Sequence, residues 1–227
     1  MGGMVATGDP AVRRVDRQED LPDPAPDAAF VVVDVIISST TVVRLLEAGA
    51  ESVRPFADPD AARQFNRAEG AFLVGEQGGE SVEGFDGSPL PSLVADYPVE
   101  GRPVGLLSSN GTRAMDRIGH DRDIYVGTTV NAAAAADAVR DHAEAWLVAA
   151  GRQGEVVGED VAGVDLIAGH LDGSPPERST LATAIRETPT AAWLREMGFD
   201  HEVDALCEFD STDVVPRLRD GAFVDAR

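Results

Sequence analysis

Residues 30–50 read FVVVDVIISSTTVVRLLEAGA, and the fold turns on this stretch. Residues 30–33 form an unbroken β-rich apolar run, short enough for a strand buried on both faces. Asp34 ends the run, and Ser38, Ser39, Thr40 and Thr41 follow within a turn. Val42, Val43, Leu45, Leu46 and Ala48 then recur at helical spacing, with Gly49 as a stop. The unit reads strand, hydroxyl-rich loop, helix. A carboxylate at the carboxyl end of a parallel strand faces the crevice where open α/β sheets take ligands. A helix start just beyond it offers N–H groups and a positive dipole end to an anion. The same side chains also serve as ordinary helix caps, so the stretch needs support from elsewhere in the chain.

Working outward, residues 52–56, 71–74, 104–107, 124–126 and 146–150 are further strand candidates. Helices are expected over 58–68, with Asp58 as cap and Pro59 at the first position, and over 112–118, 132–142 and 159–171. Asn131 is placed to cap the alanine-rich helix. From residue 172 the alternation fades into short helices at 179–187, 191–197 and 203–209 and an extended segment at 213–216. Residues 1–29 are polar and proline-punctuated, with a short edge strand at 12–15. We therefore expect an N-terminal edge strand and Pro-rich loop over 1–29, then a single α/β domain over 30–227 with a mostly parallel or mixed sheet. Polar clusters at 34–41, 75–79, 108–112 and 151–160 follow strands, so one parallel sheet would gather them on a common edge.

Composition narrows the functions. The net charge is -21 with a pI near 4.3, and all 19 basic residues are Arg. Such a surface repels itself until molar salt shortens the screening length to roughly 3 Å. The composition matches an extremely halophilic source. It lacks the basic stripe of a nucleic-acid partner, and no apolar run reaches membrane-spanning length. No secretory signal is visible in residues 1–29, so a cytoplasmic location is expected. Cys207, the single cysteine, forms no internal disulfide, and no Cys/His cluster suggests zinc. His120, His142, His170 and His201 show no ligand spacing, and Trp146 and Trp193 read as packing residues.

Asp34, Glu76, Glu159 and Asp160 offer carboxylate oxygens without nearby histidine, a donor set suited to Mg²⁺. Residues 108–112, Ser-Ser-Asn-Gly-Thr, allow backbone N–H groups to approach an oxyanion, as do Thr40 and Thr41. Arg113 and Arg152 are candidates for phosphate charge. Together they suggest metal-assisted handling of a phosphorylated small molecule. A P-loop is excluded because there is no Lys.

These segments resemble the Mg²⁺-dependent 2-phosphosulfolactate phosphatases of coenzyme M biosynthesis. The matching pieces are DVIISSTTVVRLLEAGA at 34–50, VGEQGG at 74–79, EGFDGSP at 83–89, SSNGT at 108–112, Asn131-Ala132, AGRQG at 150–154, GEDVAG at 158–163 and FDSTDVVP at 209–216. The resemblance implies a three-layer α/β/α fold and hydrolysis of a small acidic phosphate monoester. It places Asp34, Glu76 and Asp160 in catalysis, and Asp34, Glu76, Glu159 and Asp160 on the metal. Thr40, Thr41, Ser88, Asn110, Gly111 and Thr112 then join Arg152 around the phosphate and substrate. The expected partner is a small anionic phosphorylated substrate, with no nucleic acid or membrane, and a homo-oligomer is an open option. The chain also departs from the family pattern. Ile37 and Gln77 stand where arginines are usual, an Asn is absent before Ser88-Pro89, and Ala149 replaces a Cys. The alternative reading is a non-catalytic relative that binds an anionic metabolite.

Overall fold

The computed structural model describes residues 10–23, 26–77, 80–108, 110–152 and 154–227. Strands β1 (Ala11–Val15) and β2 (Ala29–Val33) come first, then helix α1 (Ser38–Glu47), β3 (Ser52–Phe56), α2 (Pro59–Glu69), β4 (Phe72–Gln77) and the two-residue β5 (Glu80–Ser81). The chain continues through α3 (Pro91–Val94), β6 (Pro103–Leu107), α4 (Asn110–Ile118), β7 (Asp123–Gly127), α5 (Ala132–Val139) and β8 (Glu144–Ala149). Helices α6 (Gly158–Leu171), α7 (Arg178–Arg186), α8 (Pro189–Glu196) and α9 (Asp200–Leu206) precede a hairpin of β9 (Pro216–Arg219) and β10 (Ala222–Asp225).

The strands form one mixed sheet in the order β1-β8-β2-β7-β9-β10-β3-β6-β4-β5. It consists of two parallel blocks. The first is β1-β8-β2-β7 and the second β3-β6-β4, each parallel within itself. The hairpin joins them through antiparallel pairings of β7 with β9, β9 with β10 and β10 with β3. These reversals give the second block the opposite sense to the first. A sheet twists by roughly 20–25° per strand, so the five steps from β2 to β6 rotate it by roughly 100–125°. Reversal plus rotation bring the carboxyl ends of β4 and β6 back toward that of β2. The strand ends meet for this reason, and not because they share the common edge of one parallel sheet.

Alternation along β2 shows how the layers form. Ala29, Val31 and Val33 face one core with α5 and α6, while Phe30 and Val32 face the other with α1 and α4. The second core also takes Val53, Phe72, Val74, Val104 and Leu106 from the second block, so it spans both. All five β2 residues are buried, as a strand covered on both faces requires. Gly163 lets α6 lie directly on β2, since a Cβ there would come 2.8 Å from Val33 and Val35.

Two local expectations change. Asp58 caps α2 by accepting from Ala61 N at 3.0 Å, as anticipated. Asn131 does not cap α5 with its side chain. Its fully buried amide accepts from Thr128 N at 2.9 Å and donates to Val214 O at 2.8 Å, and Asp210 takes over by accepting from Ala133 N at 2.9 Å. The extended segment at 213–216 leads into β9 and β10, a hairpin that the fading alternation concealed.

Candidate functional site

A cavity of about 290 Å³ opens where the two blocks' strand ends meet. From the first block come Asp34 just past β2, Ile36, Ile37 and Ser38 at the start of α1, and Gly151 and Arg152 after β8. Val157, Glu159 and Asp160 enter from the start of α6, and Thr190 and Trp193 from α8. The second block supplies Glu76 from β4, Leu106 and Leu107 from β6, and Ser108 just beyond; Pro89 precedes α3.

Asp160 is buried and fixed by backbone donors. Its Oδ1 accepts from Val35 N at 2.8 Å and its Oδ2 from Gly151 N at 3.1 Å, tying together the loops after β2 and β8. Asp34 is partly exposed, and its backbone is pinned at both groups by Ser39. Asp34 N donates to Ser39 Oγ at 2.9 Å, and Ser39 N donates to Asp34 O at 2.9 Å. Ser38 Oγ and Ser108 Oγ share a 2.7 Å hydrogen bond across the two blocks. Burial, then the charge of Glu159, pushes the Asp34 carboxyl up to about 7, against a hydrogen bond from Ser38. Burial, then the charge of Asp34, drives Asp160 well above the usual carboxylate range, with the N–H groups of Val35 and Gly151 opposing.

Glu159 is 2% exposed, and its Oε2 has no hydrogen-bond partner among the described residues. A buried, unpaired carboxylate oxygen is costly unless something positive meets it. This donor set fits a hard cation. Among the described residues, no group of three or more His, Cys, Asp or Glu forms a ready metal cage. Mg²⁺ does not require one, since it ordinarily uses one or two carboxylates with waters and phosphate oxygens.

The cavity therefore gathers Asp34, Glu76, Arg152, Glu159 and Asp160 from the sequence-based set. Of the remaining residues, those whose side chains are described lie off the cavity wall. Thr40 is buried, its hydroxyl donating to Val35 O at 2.7 Å and sharing a 2.8 Å bond with Thr128 Oγ1. Thr41 donates its hydroxyl to the carbonyls of Ile37 and Pro89, clamping the loop before α3 to α1. The Thr112 hydroxyl turns back to Ser108 O and lines a smaller crevice beside α4. Ser88 is half-buried outside the cavity, where its carbonyl accepts from the Tyr97 hydroxyl at 3.0 Å. These groups position the loops. Asn110 and Gly111 open α4, and what surrounds the Asn110 side chain and Gly111 lies outside the described residues. Arg113 is exposed and off the cavity wall.

Sequence reasoning missed Ser38, Ser108, Val157, Thr190 and Trp193 as lining residues. Ser38 and Ser108 sit inside motifs already singled out. Trp193 carries no local signal, because only the tertiary placement of α8 brings it to the cavity.

The fold and this cavity define an α/β protein with an acidic small-molecule site at converging strand ends. The family model described as 2-phosphosulpholactate phosphatase matches residues 15–221, and the chain belongs to that family. A relative from Prochlorococcus marinus (strain MIT 9313) is 30% identical over 87% of this chain and 91% of its own length. One from Synechococcus sp. (strain WH7803) is 37% identical over 67% of this chain and 65% of its own. A third, from Gloeobacter violaceus (strain ATCC 29082 / PCC 7421), is 32% identical over 75% and 74%. All three are named "Probable 2-phosphosulfolactate phosphatase". Among the described residues, no helix is long and apolar enough to cross a membrane.

Proposed function

We propose that this cavity hydrolyses a small acidic phosphate monoester with Mg²⁺, 2-phosphosulfolactate being the ester that the relatives' names put first. The observation that supports the reading is buried Glu159, whose Oε2 has no partner among the described residues, beside Asp34 and Asp160 in one cavity. Asp34 and Glu159 are the side chains that would hold the ion, with Glu76 facing it from the second block. Held there, Mg²⁺ would supply charge withdrawal from a phosphoryl oxygen and help orient the group. Arg152 pairs with an anionic group of the ester. Ser38 and Ser108 hold the two blocks' loops at a fixed separation through their shared hydrogen bond. A carboxylate not engaged by the ion, Glu76 in this reading, accepts a proton from the attacking water. The water oxygen bonds to phosphorus as the ester P–O bond breaks, and the freed alkoxide takes up a proton.

The test is phosphate release in molar KCl, with Mg²⁺ or with EDTA, for the wild type and Asp34→Asn. Removing a ligand that contributes several kcal/mol should lower kcat/KM by about 100-fold or more. Circular dichroism should show the fold retained. Unchanged turnover in EDTA and in Asp34→Asn would reject the metal site. The second reading, an anion-binding relative without turnover, is favoured by Ile37 in the cavity wall where the family pattern has arginine. Gln77 bears less on it, being exposed and off the wall. Binding of the ester without phosphate release would support that reading.

A further inference from the structure

The cavity carries four carboxylates, Asp34, Glu76, Glu159 and Asp160, against one lining cation among the described residues, Arg152. Arg152 makes no ion pair among those residues, so its guanidinium is available to a ligand. With Asp34 and Glu159 on the divalent ion that meets the phosphate, Arg152 is the one described lining cation left for a further anionic group. Among the described residues no second lining cation would meet an additional anionic group, which would be desolvated beside carboxylates.

The rest of the wall mixes the hydroxyl residues Ser38, Ser108 and Thr190 with apolar side chains. Ile37 and Val157 line the cavity with Trp193, one of the few large hydrophobic side chains left exposed, at 39%. Helix α8, which carries Trp193, is anchored beside the start of α6. Thr188 caps α8 by accepting from Ala191 N at 3.2 Å, and its methyl lies 3.2 Å from where a Cβ on Gly158 would be. Ile37 has φ 81 and ψ -79, the strained γ-turn region that β-branched residues avoid. It is held there by Thr41, whose N–H donates to Ile37 O at 2.7 Å and whose hydroxyl donates to the same carbonyl. Strain of this kind persists where surrounding structure enforces it, and it clusters at ligand sites.

Resting on the phosphatase reading above, we propose that the preferred substrate is the 2-phosphate of a hydroxy acid with an apolar, aromatic-sized substituent at C3 in place of a sulfonate. Ile37, Val157 and Trp193 receive that substituent, and Arg152 takes the single carboxylate.

The experiment compares phosphate release from 2-phospho-3-phenyllactate, 2-phospholactate and 2-phosphosulfolactate, with Mg²⁺ in molar KCl. In the wild type, kcat/KM for the phenyl ester should exceed that for the sulfonate ester by about tenfold or more. Trp193→Ala should narrow the phenyl-to-lactate ratio by about fivefold or more, and Trp193→Phe should keep most of it. Ile37→Arg should raise the sulfonate-to-phenyl ratio by about tenfold. A wild type that prefers the sulfonate ester overturns this proposal and leaves the phosphatase reading standing. So does a ratio unmoved in Trp193→Ala. Release from none of the three esters brings down the phosphatase reading, and this proposal with it.

Discussion

The two parallel blocks do different work. In the first, β2 is buried throughout, and the loops around it hold Asp34, Glu159 and Asp160, with Asp160 fixed by two backbone N–H groups. In the second, β4 and β6 are also largely buried, and they and the residue after β6 supply Glu76, Leu106, Leu107 and Ser108. Charge is concentrated in the first block, where backbone N–H groups solvate Asp160. The second block contributes walls and a single carboxylate. The difference teaches that the two halves of the site depend on different things. The first is tied together by its own backbone hydrogen bonds, whereas the approach of the second depends on the hairpin and the shared core. The hairpin's ladder contacts to the blocks are narrow: Tyr125 opposite Arg217 on one side, Phe223 opposite Val53 on the other.

The strongest way to break this contrast is at the seam. Phe223 is 2% exposed, and Phe223→Ala should cost about 3–5 kcal/mol by removing a buried ring. Guanidinium unfolding in molar KCl would measure it. A loss under about 1 kcal/mol would show that something other than the hairpin joins the blocks.

Next comes a matched pair, one carboxylate from each block. Asp160→Ala strands the N–H groups of Val35 and Gly151, at about 1–3 kcal/mol each. Glu76→Gln keeps size and hydrogen-bonding capacity at a half-exposed position, and should stay within about 1 kcal/mol of wild type. Equal losses in the two variants would erase the distinction.

The smallest expected effect is on pH dependence, and it belongs to the first block. The folded Asp34 carboxyl titrates at about 7 against an ordinary value of 3.8, and Asp160 is raised as well. Between those values the folded chain holds protons that the unfolded chain has released. Stability of the metal-free protein is therefore greatest below the lower value and falls as pH rises toward 7. Asp34 is partly exposed and so screened by solvent, and a loss of about 1–2 kcal/mol is expected. Thermal melts from pH 4 to pH 8 in molar KCl would show it, and Asp34→Asn should flatten the slope. A slope identical in that variant would remove Asp34 as its source.

Much of the architecture was legible because local rules and tertiary structure agree. Residues 52–56 form β3 with the expected limits, and Asp58-Pro59 starts α2 as cap and first position. Residues 30–33 lie within β2 because a continuous apolar run suits a strand covered on both faces. Family membership was legible too, since eight short motifs in order are far more specific than any one. The joining hairpin was missed although it left a signal. Asp220-Gly221 sits between alternating residues, and both take positive φ, 50 and 78, as a type I′ turn requires. Asn131 obeyed long-range demands over its local preference, because the Val214 carbonyl needed a donor. The roles of Thr40 and Thr41 were not legible, since a hydroxyl beside a site can face the ligand or the backbone, and packing decides which.

The hairpin also imposes an order of events at the ribosome. β9 and β10 are synthesised after every other strand, yet they lie in the middle of the sheet. Both parallel blocks emerge while the seam between them is missing. Until then β7 and β3 each present a row of unpaired N–H and C=O groups, an invitation to neighbouring nascent chains. A net charge of -21 keeps those chains apart in dilute buffer, and salt weakens that repulsion. Wherever salt screens the charge, what guards the open seam is speed. The Asp220-Gly221 turn closes locally, on the order of 1–10 μs for a hairpin, which is short beside the time taken to add one residue.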